Sequence, residues 1–291
     1  MLSLITGILT EGLIYSIMAF GVYISLKILD FPDLSTDGTF PLGMAIAVVC
    51  LLNGVNPFLC IVIAFVLGSA AGAVTGLLNV KLKFKDLLCG IITMTALYSI
   101  NYSIVGKPNE FLSVDTQTVF TVISSDSPLF PYRYLIVSAV LAIVFKVLLD
   151  LYLATKSGFL LRAAGDNENL IITLAKNPGK VKIIGLAIAN GLISVSGCIY
   201  LQYMKSFNVS AGTGSLVIGL AAVIIGTTVF GKLRRIKPTT GVIAGMIIYK
   251  ACISLAMLVG LESKDTNLVV ALLFIVTLVV SNRKSLMKGS H

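Results

Sequence analysis

The chain is nearly without histidine and poor in acid: among 291 residues there is one histidine, His291, and only 13 Asp and Glu. One imidazole cannot assemble a metal centre. No H-E-x-x-H helix and no nucleophile–base pair can be read, so an enzyme acting on membrane lipid lacks its residues. The five cysteines, Cys50, Cys60, Cys89, Cys198 and Cys252, contain no C-x-x-C and lie inside apolar runs. An odd count gives no disulfide framework, and they read as small buried hydrophobes. Charge is scarce as well. Charged residues make up 12% of the chain against 57% hydrophobic, with a mean hydropathy of +0.99. Soluble domains average about 45–50% apolar and about 25% charged, so a water-soluble globule does not fit.

What is abundant is apolar sequence in blocks long enough to cross a bilayer, which takes about 20 helical residues. The first, "LSLITGILTEGLIYSIMAFGVYISL", has no basic leader and no small-residue cleavage site, is too long for a signal peptide and carries Glu11, so it reads as a retained helix. Hydropathy predicts helices near Leu2–Ile28, Pro41–Leu52, Pro57–Val80, Leu87–Val105, Tyr134–Leu153, Ile183–Met204, Ser215–Phe230, Thr240–Val259 and Leu268–Val280. The expected fold is an all-α integral membrane protein of about 8–10 transmembrane helices. Residues 1–281 form one transmembrane domain, with 155–182 as a cytoplasmic loop and 282–291 as a cytoplasmic basic tail. Gly289, Ser290 and His291 could equally be an appended terminus.

The net charge of +9 invites a nucleic-acid reading, but its distribution argues otherwise. Lys81, Lys83 and Lys85; Lys156, Arg162, Lys176, Lys180 and Lys182; Lys232, Arg234, Arg235 and Lys237; and Arg283, Lys284 and Lys288 fall in alternate connections. Alternation of this kind marks the cytoplasmic side. It places the C-terminus inside and the N-terminus outside, with no nucleic acid required. The stretch "GTTVFGKL", Gly226 to Leu233, falls one residue short of a phosphate-binding loop. Leu233 stands where a Mg²⁺-binding hydroxyl is needed, and an apolar run rather than a strand–loop context precedes it. An ATP site in this chain is not expected.

Two segments interrupt the apolar pattern at membrane depth: "LDFPDLSTDGTFPLG", Leu29 to Gly43, and "SFNVSAGTGSLVIG", Ser206 to Gly219. In each, a phenylalanine, Phe31 or Phe207, leads into a small polar string ending in glycine, and a helix follows. The first enters from inside and the second from outside, an inverted pair of interrupted helices as found around transporter midplanes. Unpaired backbone groups in lipid cost several kcal/mol each, so such segments must face protein or a water-filled cavity. Asp33, Ser35, Thr36 and Asp37 from the first, with Asn208, Ser210 and Thr213 from the second, are the candidate pathway residues. Intramembrane charge is treated as functional by default. Glu11 joins the pathway candidates, although a structural role weighs equally, and a mutual ion pair between Glu11 and Lys250 is a hypothesis. Lys146 and Asp150, four apart, read as a structural pair on one helix face.

The loop "TKSGFLLRAAGDNENLIITLAKNPGKVK", Thr155 to Lys182, shows helical periodicity. A first short helix is expected to end at Gly165 as a C-cap. A second begins with Asp166 or Asn167 as N-cap, with Glu168 in its first turn and Lys176 in its last. Leu170, Ile171 and Leu174 form its apolar face. With acid on its polar face and one lysine, it suits a protein groove better than a phospholipid surface.

"GFLLRAAGDNENL" resembles the coupling-loop signature of permease subunits of bacterial ABC importers in the branched-chain amino acid and ribose class. "GSLVIGLAAVIIGTTVFG" looks like the family's next hallmark, and "FPDLSTDGTFPLG" is similar to its first-half motif, particularly in the tryptophan and tyrosine uptake subgroup. "AKNPGK" departs from the glycine-led turn of many relatives. The resemblance implies a type II-importer-like fold, a multi-pass protein of the bacterial cell membrane, and no enzyme activity in this chain. It further implies two cytoplasmic ATPase subunits that bind the ATP and Mg²⁺, a second permease copy or paralogue, and an extracytoplasmic solute-binding protein. Arg162, Gly165, Asp166, Asn167, Glu168, Leu170, Ile171 and Leu174 would couple to the ATPase, with Gly165 allowing a sharp change of direction. Amino acids are the solute expected, with ribose-like sugars or nucleosides open. An ion-coupled secondary transporter and a sealed scaffold subunit are the competing classes.

Overall fold

The computed structural model describes residues 2–123, 127–166, 177–230 and 237–258, together with Leu272 and Ile275. The chain enters as α1 (Leu2–Val22), continued by a π-helical turn over Tyr23–Ile28. After a break come α2 (Thr36–Leu52), α3 (Pro57–Leu82) and α4 (Asp86–Val105). The connection after α4 carries β1 (Asn109–Phe111) and leads to α5 (Arg133–Ala154) and the short α6 (Lys156–Asp166). Next come α7 (Pro178–Met204), β2 (Ser206–Asn208), α8 (Ser215–Phe230) and α9 (Pro238–Leu258). Among the described residues six helices are long and apolar enough to span a membrane, and α2 and α8 are shorter apolar helices. Residues 259–271, which include part of the predicted ninth helix, lie outside the described residues.

α7 is the axis. It packs on α1, α2 and α3, and its residues from Ala189 to Ile199 are almost all buried. Close approach is bought with small residues. A Cβ at Gly68 or Gly72 of α3 would collide with the α7 backbone at Asn190 or Leu186, the small-residue contact that lets membrane helices pack by van der Waals fit. The outer faces of α3, α4 and α5 expose Val62, Val66, Ile91, Ile143 and Leu151. A surface so apolar is one for lipid, not water. Neighbour contacts fix direction: Ser196 of α7 donates to the Ile14 carbonyl, while Gly21 faces Ala189 and Ile193, so α1 and α7 are antiparallel. Gly226 faces Gly241 and Ala222 faces Gly245, so α8 and α9 are antiparallel too.

Two differences from sequence reading stand out. The second helix begins at Thr36, not Pro41, so the first break shrinks to about seven residues, Leu29–Ser35, and Pro41 lies inside α2. The Asp33 carboxylate accepts the Ser35 N–H, and the Thr36 and Thr39 hydroxyls donate to the Asp33 and Ser35 carbonyls, local bonds that hydropathy does not see. The fold is also not purely helical. β1 and β2 pair antiparallel, Asn109 opposite Asn208 and Phe111 opposite Ser206, tying the α4–α5 connection to the second break. Gly226–Phe230 of the near-match to a phosphate loop lie within α8; Gly231, Lys232 and Leu233 lie outside the described residues.

Candidate functional site

The two breaks meet beside α7. In the first, the π-helical turn ends with Leu29 N–H on the Ile24 carbonyl and Phe31 N–H on that of Ser25. Asp30 turns the chain with a φ of 52°, a left-handed conformation Asp tolerates better than most residues. Phe31 is fully buried, as is Phe207 of the second break, so each phenylalanine anchors the entry of its polar string. Asp33 then accepts the Ser35 N–H at 2.9 Å and the Asn190 Nδ2 at 2.7 Å. Asn190 accepts, through Oδ1, hydrogen bonds from Ser35 at 3.0 Å and Thr39 at 2.7 Å. All of these side chains are buried. Asn190 stands near the middle of α7, so this network lies at membrane depth, where every polar group must find a partner within the protein. Asp33, Ser35 and Thr36 therefore form a closed lock between α2 and α7, and none of the three lines the cavity beside Asp37.

Asp37 faces the other way. Its carboxylate accepts the Gly214 N–H at 2.9 Å, the Ser215 hydroxyl at 2.9 Å and the Leu216 N–H at 3.0 Å. It thus caps the N-terminus of α8 across 177 residues of sequence. Orphan N–H groups and the positive end of the helix dipole both favour a carboxylate there. Gly214 has a φ of 81°, the left-handed backbone that glycine adopts without penalty. Pro41 cannot donate to the Asp37 carbonyl, and Gly212 packs against that notch; a Cβ at Gly212 would strike the Asp37 oxygen and the Pro41 ring.

Beside Asp37 opens a cavity of about 380 Å³, with Gly38, Met94, Tyr98, Asn101, Ser210 and Thr213 in its wall. Asp37, Ser210 and Thr213 are thus brought together, while Asn208 sits exposed in β2 above them. Glu11 is elsewhere. It accepts from Lys250 at 3.0 Å, and that ammonium sits 3.7 Å from the centroid of the Tyr15 ring. The hypothesised pair exists in the structure and joins α1 to α9. Lys146 bonds Asp150 at 3.0 Å, and Lys237 and Thr239 converge on the same carboxylate.

At the far end of the π-helical turn, α6 continues through Gly165 to Asp166. Gly165 is therefore not a C-cap and makes no turn; its positive-φ freedom goes unused. Its missing side chain serves contact instead, because a Cβ there would collide with the carbonyl of Ile28. Arg162 donates to the Leu153 carbonyl at 2.9 Å. Asp166 is the last residue of α6. Asn167, Glu168, Leu170, Ile171 and Leu174 lie outside the described residues. Sequence reading missed Asn190, Tyr98 and Asn101. An asparagine in the middle of an apolar span was the available signal for Asn190.

No solved structure matches the chain significantly. A family model described as "Branched-chain amino acid transport system / permease component" matches residues 4–281. The chain is 42% identical over 295 aligned positions to the tyrosine transport system permease protein of Clostridioides difficile, covering 99% of this chain and 94% of that one. It is 27% identical to the ribose import permease protein RbsC of Escherichia coli K12, with 96% and 85% covered. It is 26% identical to the probable branched-chain amino acid transport permease protein LivH of Methanocaldococcus jannaschii, with 83% and 78% covered. With membrane-spanning helices around two interrupted ones and a family match over almost its whole length, this chain belongs to the branched-chain amino acid transport system permease family.

Proposed function

We propose that the chain is the permease subunit of an ATP-binding-cassette importer that brings an aromatic or branched-chain amino acid into the cytoplasm. ATP and Mg²⁺ are handled by separate ATPase subunits. A second permease copy or paralogue and an extracytoplasmic solute-binding protein complete the assembly. The observation that carries the reading is the contact of α6 with the end of the π-helical turn. Gly165 sits on Ile28, five residues before Asp33, so a push on the cytoplasmic helix reaches the first break through one short rigid link. The coupling element runs from Arg162, Gly165 and Asp166 through Asn167, Glu168, Leu170, Ile171 and Leu174. In the pathway, Asp37, Asn208, Ser210 and Thr213 border the solute, while Asp33, Ser35, Thr36 and Glu11 hold the helices that must part. The likeness to a tyrosine transport permease along nearly the full chain favours an aromatic solute.

The test is uptake in cells that express the chain together with candidate ATPase and solute-binding subunits from the same organism. Labelled tyrosine should accumulate only with all subunits present and an intact ATPase. Uptake that proceeds without the ATPase and collapses with the ion gradient would make this a secondary transporter instead.

A further inference from the structure

We propose that the cavity between α2, α4 and the turn before α8 seats an amino acid with an aromatic side chain, its ammonium group held at Asn101 and its ring against Tyr98. The proposal rests on the transport reading above and names the chemistry of one station within it. The cavity's volume of about 380 Å³ falls within the ~300–1,000 Å³ typical of small-molecule sites.

Asn101 is fully buried on α4 and forms part of the cavity wall. Its Nδ2 donates to the Gly38 carbonyl at 2.9 Å, which fixes the orientation of the amide. That leaves Oδ1 buried with no donor among the described residues. Buried acceptors are normally satisfied, so this one favours an N–H or O–H from a ligand, reached when the wall around Asn101 shifts to expose it. The rest of the wall says which. Among the described residues its one charged side chain is Asp37 and no lysine or arginine lines it, so a free anion meets an electronegative surface while an ammonium meets a favourable one. The Asp37 carboxylate is already taken by three donors from α8 and adds field more than a bond. Hydroxyls of Ser99, Ser210 and Thr213 can donate to the carboxylate of a zwitterion. Tyr98, half exposed, offers a ring face beside Met94, the surface against which an aromatic side chain gains most.

The experiment uses the full chain in lipid nanodiscs with Ser210→Cys, read as the rate of labelling by a positively charged methanethiosulfonate; the unsubstituted chain reports the background of the five native thiols. L-Phenylalanine, at a few times its dissociation constant, should slow labelling about threefold or more by occupying the cavity. 3-Phenylpropanoate, which lacks the ammonium, and ribose, which lacks the ring, should slow it little. Tyr98→Ala in the same background should erase the protection and Tyr98→Phe should keep it; Tyr98 is a surface position, so both variants fold. A cysteine that reacts but is not protected by phenylalanine overturns the proposal. So does equal protection by 3-phenylpropanoate, or stronger protection by ribose. Uptake measured in parallel separates the two levels: intact ATP-dependent uptake without protection overturns the seat alone, and protection without ATP-dependent uptake overturns the transport reading.

Discussion

The two interruptions look alike as sequence and differ as structure. The first, Leu29–Ser35, is knotted shut: Asp33 and Asn190 use nearly every polar atom they have on each other and on Ser35 and Thr39. The second, Val209–Gly214, is a run of turns with Ser210 exposed and a cavity beside it. Asp37 belongs to the first segment by sequence and to the second by contact, which makes it the hinge between them. One break holds position while the other leaves room, a division of labour that a pathway able to open on one side requires.

The contrast breaks most visibly at the closed break. Asn190→Leu strips Asp33 of its side-chain amide donor and leaves the Ser35 hydroxyl without an acceptor, while Thr39 keeps the Ser35 carbonyl, all at membrane depth. We expect a loss of about 2–5 kcal/mol, from a buried carboxyl group and a buried hydroxyl left short of partners at about 1–3 kcal/mol each. Thermal unfolding of the purified full chain would show it as a large fall in midpoint. An unchanged midpoint would mean that the lock contributes nothing.

The Glu11–Lys250 pair comes next. Reversing either charge should cost about 1–3 kcal/mol, less than for a fully enclosed pair because Glu11 keeps some contact with its surroundings. The double exchange Glu11→Lys with Lys250→Glu should recover most of it. Failure to recover would show that one of the two charges has a separate partner or task.

Gly212→Ala tests the junction itself. The added methyl meets the Asp37 carbonyl and the Pro41 ring, and overpacking of this kind costs about 1–3 kcal/mol. The same unfolding assay should place it between the lock and the open break. A neutral outcome would mean that the turns before α8 yield easily.

How much of this could be read beforehand follows from range. Apolar blocks gave the long helices because span length and hydropathy are local. Glu11 and Lys250 announced themselves because a lone charge in an apolar run demands a partner. Where α2 begins was misread because Pro41 looks like a start, whereas the true start is set by Asp33 and Ser35 hydrogen bonds that composition does not encode. The meeting of Asp37 with α8, the Asn190 lock and the β1–β2 ribbon bring together residues more than 90 positions apart, and no periodicity predicts such pairs. Gly165 was legible as special, but for the wrong reason, since a glycine that permits a turn and one that permits contact look identical in sequence.

The smallest effect sharpens the comparison best. Ser210 is exposed and donates no side-chain hydrogen bond within the described residues, so Ser210→Ala should change stability by no more than about 0.5 kcal/mol. Ser35, at the matching place in the closed break, is fully buried and bonded to Asn190. A cysteine at 210 should therefore react with a charged thiol reagent added from outside, and one at 35 should stay unmodified. If cycling the assembled importer with ATP made position 35 reactive, the lock would be shown to open during transport, and the two breaks would be alternating gates. If position 35 stayed silent throughout, the first break would be a fixed wall and all movement would fall to the turns before α8.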